Sequence, residues 1–219
     1  MNVNAVVSRE TLDRRLATFQ DEFARWSSRT NLVSHGERKN VHERHIADSL
    51  QLLAHIDGVP ERWVDLGSGG GFPGLIVAAA LPDDAVTLVE SNAKKAAFLR
   101  SAALAMGVRV RLLADRIERV VPVLPPPTVV SARALASLDE LLRMTAPWLA
   151  AGTLGLFPKG RNANAELDEA RRTGHDFDAD PRPSATAADA TVLRITGYRP
   201  LSAAFVGSMG PSNAADRGE

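Results

Sequence analysis

The chain has no cysteine among its 219 residues. That excludes disulfides, thiolate metal sites and a cysteine nucleophile together, and it fits a reducing compartment. Net charge is absent as well: 26 basic and 26 acidic side chains cancel. A protein that coats nucleic acid without regard to sequence is normally far more basic. Any contact with a polyanion must therefore use a local patch, and residues 62–160 form the only net-basic stretch. No run of about 18 apolar residues occurs, so no transmembrane helix is expected. The N-terminus lacks the basic-then-apolar pattern of a signal peptide. These absences predict a cytoplasmic protein, a monomer by default, with no membrane partner and no metal.

What is present is an ordinary globular composition, 45% apolar and 24% charged. The length suits one α/β domain with a small appendage and a core that needs no covalent staple. Residues 8–27 predict an amphipathic helix capped by Ser8, with Leu12, Leu16, Phe19, Phe23 and Trp26 on one face. A second helix is expected over 38–55. From Arg62 short apolar runs alternate with helical segments. Strands are expected at 63–66, 86–90, 108–113, 128–131 and 153–157. Helices are expected at 74–81, 93–106 (ended by Gly107), 137–150 and 162–173. Such alternation argues for a parallel sheet with helices on both faces. Residues 174–189, rich in Asp, Pro, Ala and Thr, predict a loop. Residues 191–195 and 204–206 predict a terminal hairpin. The division expected is a helical extension over 1–60, an α/β domain over 61–209 and a disordered tail over 210–219.

The chemistry concentrates in Asp65-Leu-Gly-Ser-Gly-Gly-Gly. This run places Gly67, Gly69 and Gly71 between a strand and a helix, where glycine permits sharp turning and close ligand approach. Glu90 ends the next strand, where a carboxylate can accept from both hydroxyls of a ribose. Gly69-x-Gly71-x-x-Gly74 also matches the dinucleotide fingerprint, a weak signal alone. Asp65 would face a pyrophosphate with like charge. It suits the sulfonium and ammonium of S-adenosyl-L-methionine (AdoMet), with S-adenosyl-L-homocysteine as product. Past the third strand, Asp115, Ile117 and Glu118 offer an apolar edge and acceptors for an adenine.

The missing cysteine removes methylation at carbon 5 of a pyrimidine. No Asn/Asp-Pro-Pro-aromatic motif follows the fourth strand, as exocyclic adenine methylation usually requires. A ring nitrogen remains open as target: guanine N7 has a free lone pair and no proton to lose, so alignment suffices and no general base is expected. Arg133 and Lys159, after the fourth and fifth strands, are the expected substrate-positioning cations. A small-molecule methyltransferase, a cofactor-binding RNA chaperone without activity, and an NAD enzyme stay open on these residues.

Asn31-Leu-Val, Arg44-His45-Ile-Ala-Asp48-Ser49-Leu, Asp65-Leu-Gly-Ser-Gly-Gly-Gly-Phe-Pro-Gly, Glu90-Ser-x-x-Lys94-Lys95-x-x-Phe98-Leu99-Arg100, Arg133-Ala-Leu-Ala-Ser137-Leu and Lys159-Gly160 occur in one order. On these motifs, spanning residues 10–170, the chain resembles the bacterial 16S rRNA guanine-N7 methyltransferases, the glucose-inhibited division protein B family. The resemblance implies a class I AdoMet-dependent methyltransferase fold, with a mostly parallel seven-stranded sheet and an N-terminal helical extension. It implies methyl transfer to N7 of a guanine in the decoding-centre loop of 16S rRNA, free or within the 30S particle. It assigns cofactor contacts to Gly67, Phe72, Ile117, Glu118 and Arg133, with Glu90 at the ribose. It places Arg44, His45, Asp48 and Ser49 at the substrate or at site closure. The chain departs from the family by lacking Phe-Asp before its fourth strand and a basic, apolar final strand after 174.

Overall fold

In the computed structural model, which describes residues 7–28, 30–32 and 41–200, the Ser8 hydroxyl accepts from the Thr11 amide at 3.2 Å and opens helix α1, Arg9–Ser27. Helix α2, Val41–Leu50, runs into a tighter 3₁₀ turn, Gln51–His55. The expected single helix over 38–55 therefore divides, and residues 38–40 lie outside the described residues. Then come β1 (Trp63–Leu66), α3 (Gly74–Ala80), β2 (Val86–Val89), α4 (Ala93–Met106) and β3 (Arg111–Leu113). They are followed by α5 (Ile117–Val120), β4 (Val129–Ala132), α6 (Leu138–Ala150), β5 (Leu154–Lys159) and α7 (Ala163–Arg172). Strands β6 (Asp176–Pro183) and β7 (Thr191–Arg199) end the described chain.

The local signals explain the boundaries. Asn92 caps α4 by accepting from the amides of Lys94 and Lys95, and Gly107 ends it in the left-handed conformation at φ 65°. That conformation costs glycine little because it has no Cβ. Ser137 and Glu140 form a reciprocal capping box on α6.

The seven strands lie in the order β3-β2-β1-β4-β5-β7-β6. Strands β1 to β5 are parallel, and β7 is antiparallel to both β5 and β6. Successive residues of a strand point to opposite faces, and β1 shows it. Trp63 packs in the core under α1, α3 and α4, while Val64 and Leu66 pack in the core under α6 and α7. Asp65 shares the Trp63 face and is fully buried.

The aromatic stripe of α1 is inward-facing. Phe19 and Phe23 are buried and meet Phe72 and Phe98, with ring centroids 5.3–6.2 Å apart. Burying each such side chain contributes roughly 1.5–3 kcal/mol, enough to pin the helix to the domain.

The C-terminal expectation needs correction. Residues 174–189 are not a loop: β6 occupies 176–183, and the terminal hairpin is β6–β7. Its composition misleads because β6 is the outermost strand. An edge strand tolerates prolines such as Pro181 and Pro183, and charge there resists pairing with other chains. Arg199 pairs with Asp176, and Arg194 with Asp180, across the hairpin. Residues 204–206 and the expected tail over 210–219 lie outside the described residues. Among the described residues, no helix is long and apolar enough to cross a membrane.

Candidate active site

The glycine loop between β1 and α3 is built from beneath. β1 pairs with β4 so that Asp65 lies beside Ser131. The Ser131 hydroxyl donates to Asp65 Oδ1 at 2.6 Å and accepts from Trp63 Nε1 at 2.8 Å. Asp65 Oδ2 accepts from the Gly74 amide at 3.2 Å. Burial pushes the Asp65 carboxyl up to about 6 against the pull of these hydrogen bonds and of Arg133. Asp65 lines neither of the two cavities beside the loop; on a sheet covered on both faces its side chain points inward and holds the loop from below.

Glu90 holds the same loop from the side. Its Oε2 accepts from the Gly69 amide at 2.9 Å, and its Oε1 from the Asn92 amide at 2.7 Å. A carboxylate oxygen has more than one acceptor site, so acceptor capacity remains for ribose hydroxyls. Gly67 and Gly69 adopt φ 66° and 51°, which favour glycine. Gly71 lines neither of the two cavities beside the loop, and a Cβ there would lie 3.0 Å from the Phe19 ring. Its missing side chain makes room for α1.

Two cavities flank the loop. One, of about 650 Å³, is lined by Glu90, Asp115, Ile117, Glu118, Leu135 and Met144. Its volume suits a nucleoside-sized ligand. Its lining, with Gly67 at the loop, the buried acid Glu90 and the apolar Ile117, fits AdoMet. The second, of about 950 Å³, is lined by Arg44, His45, Asp48, Phe72, Arg133 and Lys159, among others. Gly67, Lys95, Ala134 and Ala136 line both. The cavities thus meet above Gly67, beside the segment that follows β4.

Within the larger cavity Arg133 is closely held. Its guanidinium lies over the Phe72 ring, 5.4 Å from the centroid. One terminal nitrogen lies 2.7 Å from His45 Nδ1 and the other 3.4 Å from Asp48 Oδ2. Arginine has no acceptor, so in this contact the guanidinium donates and Nδ1 accepts. His45 Nε2 is buried with no hydrogen-bond partner. Burial pushes the Asp48 carboxyl up, but the Thr186 hydroxyl and the Arg133 and Arg44 charges hold the group below the usual range.

Lys159 lines the cavity but is committed: Nζ lies 2.7 Å from Glu166 Oε2 and donates to the Ala136 carbonyl at 2.8 Å. Its side chain is 9% exposed. Lys159 thus ties the segment after β4 to α7 at the cavity wall. Ser49 is fully buried, donates to the His45 carbonyl at 2.7 Å and lines neither of the two cavities. Sequence reasoning missed Gln51, Lys95, Glu166 and Ser184, which line the larger cavity. Only the lysine had a local signal, standing at the start of α4 beside Asn92.

A family model described as rRNA small subunit methyltransferase G matches residues 13–177. The chain is 49% identical over 196 residues to the ribosomal RNA small subunit methyltransferase G of Methylobacterium nodulans, covering 88% of this chain and 91% of that protein. The corresponding protein of Brucella ovis is 44% identical over the same shares. Among solved structures, a putative O-methyltransferase from Klebsiella pneumoniae superposes with a TM-score of 0.53 at 16% identity, covering 87% of this chain and 91% of that one. A variant of MtNAS in complex with S-adenosylmethionine gives 0.57 at 18% identity, covering 84% and 72%. These two likenesses establish the fold, a class I methyltransferase sheet. The relatives and the family match, taken with the glycine loop and its two acids, establish that the chain belongs to the rRNA small subunit methyltransferase G family.

Proposed function

We propose that the protein transfers a methyl group from AdoMet to N7 of a guanine in the decoding-centre loop of 16S rRNA. The observation that carries this reading is the meeting of the two cavities above Gly67, one fit for a nucleoside and the other lined by cations. When bound, AdoMet supplies a methyl on a cationic sulfur. The N7 lone pair forms the new C–N bond as the C–S bond breaks, and the electron pair leaves on sulfur as S-adenosyl-L-homocysteine. N7 has no proton to lose, so the chain needs no general base.

The residues then divide by task. Glu90 receives the ribose hydroxyls while bracing the loop. Ile117 and Glu118 border the adenine. Gly67 and Gly69, which carry no side chain, would let the cofactor approach the loop backbone, and Phe72 carries Arg133. Arg44, His45, Asp48 and Arg133 face the target nucleotide. Holding the two reactants in line is the main catalytic contribution, since fixed geometry can replace a large part of the entropic barrier. Lys159 acts indirectly, by fixing residues 134–136 where the cavities join. The helices before residue 61 form an extension that closes the larger cavity. The protein works as a cytoplasmic monomer on 16S rRNA or the 30S particle.

The test is methyl transfer from labelled AdoMet to 30S particles and to naked 16S rRNA, both lacking the modification, with mapping of the product. Label at N7 of one decoding-centre guanine is expected. Label absent from both forms of 16S rRNA, or on an exocyclic amine, would overturn the reading.

A further inference from the structure

The turn between β6 and β7 reaches back across the domain to the 3₁₀ turn after α2. Gln51 is buried, and its side chain grips that turn. Oε1 accepts from the Ala185 amide at 2.9 Å, and Nε2 donates to Ser184 Oγ at 3.2 Å. Nε2 also lies 3.2 Å from the Asp48 carbonyl. The turn presents Thr186, whose hydroxyl donates to Asp48 Oδ1. The other oxygen of the same carboxylate, Oδ2, faces Arg133. Neither Thr186 nor Gln51 belongs to a motif, and more than 130 residues separate them.

We infer that Thr186 and Gln51 are positioning residues that fix the Arg133 guanidinium through Asp48. A carboxylate held at one oxygen only can swing about its last torsion, which is broad and weakly restrained. With Thr186 on Oδ1, Oδ2 is aimed at Arg133. With Gln51 holding both the Asp48 backbone and residues 184–185, the turn and the carboxylate move as one body. Arg133 is then clamped between the Phe72 ring, His45 Nδ1 and Asp48. Its planar donor fork is set before a nucleotide arrives, which is what preorganised recognition requires. The edge hairpin, remote from the cofactor in the sheet, thereby becomes a wall of the substrate cavity.

This inference rests on the reading of Arg133 as facing the target nucleotide, and the experiment separates the two. Steady-state methylation of 30S particles is measured for Thr186→Val, which keeps the shape and removes the hydroxyl, and for Thr186→Ser, which keeps the hydroxyl. Each is made in the wild-type background and beside Arg133→Lys. Affinity for S-adenosyl-L-homocysteine and Tm are measured throughout. Thr186→Val is expected to lower kcat/KM for the particle about tenfold, with S-adenosyl-L-homocysteine affinity unchanged and Thr186→Ser close to wild type. In the Arg133→Lys background, Thr186→Val is expected to add no further loss, because the planar guanidinium fork it aims is already gone. Equal losses from Thr186→Val in both backgrounds, or wild-type kcat/KM for Thr186→Val where Arg133→Lys is impaired, would overturn the inference alone. Wild-type kcat/KM for Arg133→Lys and Arg133→Ala would instead overturn the role given to Arg133.

Discussion

The amide of Gly74 sits 3.2 Å from Asp65 Oδ2, and a Cβ at position 74 would lie 2.5 Å from both that oxygen and Asp65 Cβ. Glycine at 74 is thus a packing requirement, because helix α3 begins directly on the strand-end acid. The neighbouring Leu88 side chain would be 2.6 Å away, so an added methyl has nowhere to go.

Gly74→Ala is therefore expected to cost about 1–3 kcal/mol of stability, the usual penalty for overfilling a core. It should also weaken S-adenosyl-L-homocysteine binding about tenfold or more, roughly 1.4 kcal/mol, because the glycine loop must lift off Asp65. Urea unfolding and calorimetric titration measure the two effects. Wild-type affinity in a folded Gly74→Ala protein would show that the loop does not depend on this contact.

Asp65 also predicts a pH dependence. Burial raises its carboxyl from the ordinary 3.8 to about 6, so the folded state holds a proton that the unfolded state has released between those values. The sign is then unusual for an acid. Stability from this group is greatest below about pH 4 and is lost as pH rises through about 6. A carboxyl raised that far corresponds to about 3 kcal/mol as an upper figure. Asp65→Asn removes the titration while its amide can still serve Gly74 and Ser131. The stability difference, Asp65→Asn minus wild type, is expected to grow between pH 4 and pH 7 in denaturant unfolding. A difference that stays flat over that range would contradict the buried, titrating acid.

The same residue shows where the sequence was readable. The strand Trp63–Leu66 and the motif that follows were legible, because apolar runs and glycine clusters are local signals. The direction of Asp65 is a property of the whole sheet. Helices on both faces bury it, and covering both faces depends on segments far along the chain. Likewise β6 lacks a strand pattern, since Phe177 is its one buried side chain and cross-hairpin ion pairs replace apolar contacts. Arg133 and Lys159 were both legible as cations near strand ends. What differs is the partner each finds, His45 and Asp48 for one and Glu166 for the other, and no spacing rule carries that. Thr186 gave no signal at all.

Glu90 braces the loop with both oxygens, one on Gly69 and one on Asn92. Glu90→Gln has a single acceptor oxygen, so one of the two amides must face an NH₂ group instead. Losing one such part-buried hydrogen bond costs about 1 kcal/mol. S-adenosyl-L-homocysteine affinity is expected to fall about tenfold, and the Gly69 or the Asn92 amide to lose protection from hydrogen exchange. Undiminished protection at both would mean that the loop is held without this carboxylate.

Arg15 predicts a stability effect that leaves the site intact. Its guanidinium donates to the Ala79 carbonyl at 3.0 Å and to the Gly107 carbonyl at 3.2 Å, and its side chain is only 13% exposed. Those carbonyls belong to the C-terminal ends of α3 and α4, where backbone acceptors lack helical partners and a cation is favoured. One α1 side chain thus ties two helices of the sheet domain together, at the end away from the glycine loop. Arg15→Met keeps the apolar stem and removes both hydrogen bonds. It should cost about 2 kcal/mol, which for a chain of this size lowers Tm by roughly 4–8 °C. The aromatic contacts of Phe19 and Phe23 with Phe72 stay in place, so affinity for S-adenosyl-L-homocysteine at 25 °C should not change. A Tm equal to wild type would show that α1 is held by its aromatic face alone. A parallel fall in affinity would show that docking of α1 and shaping of the loop are one event.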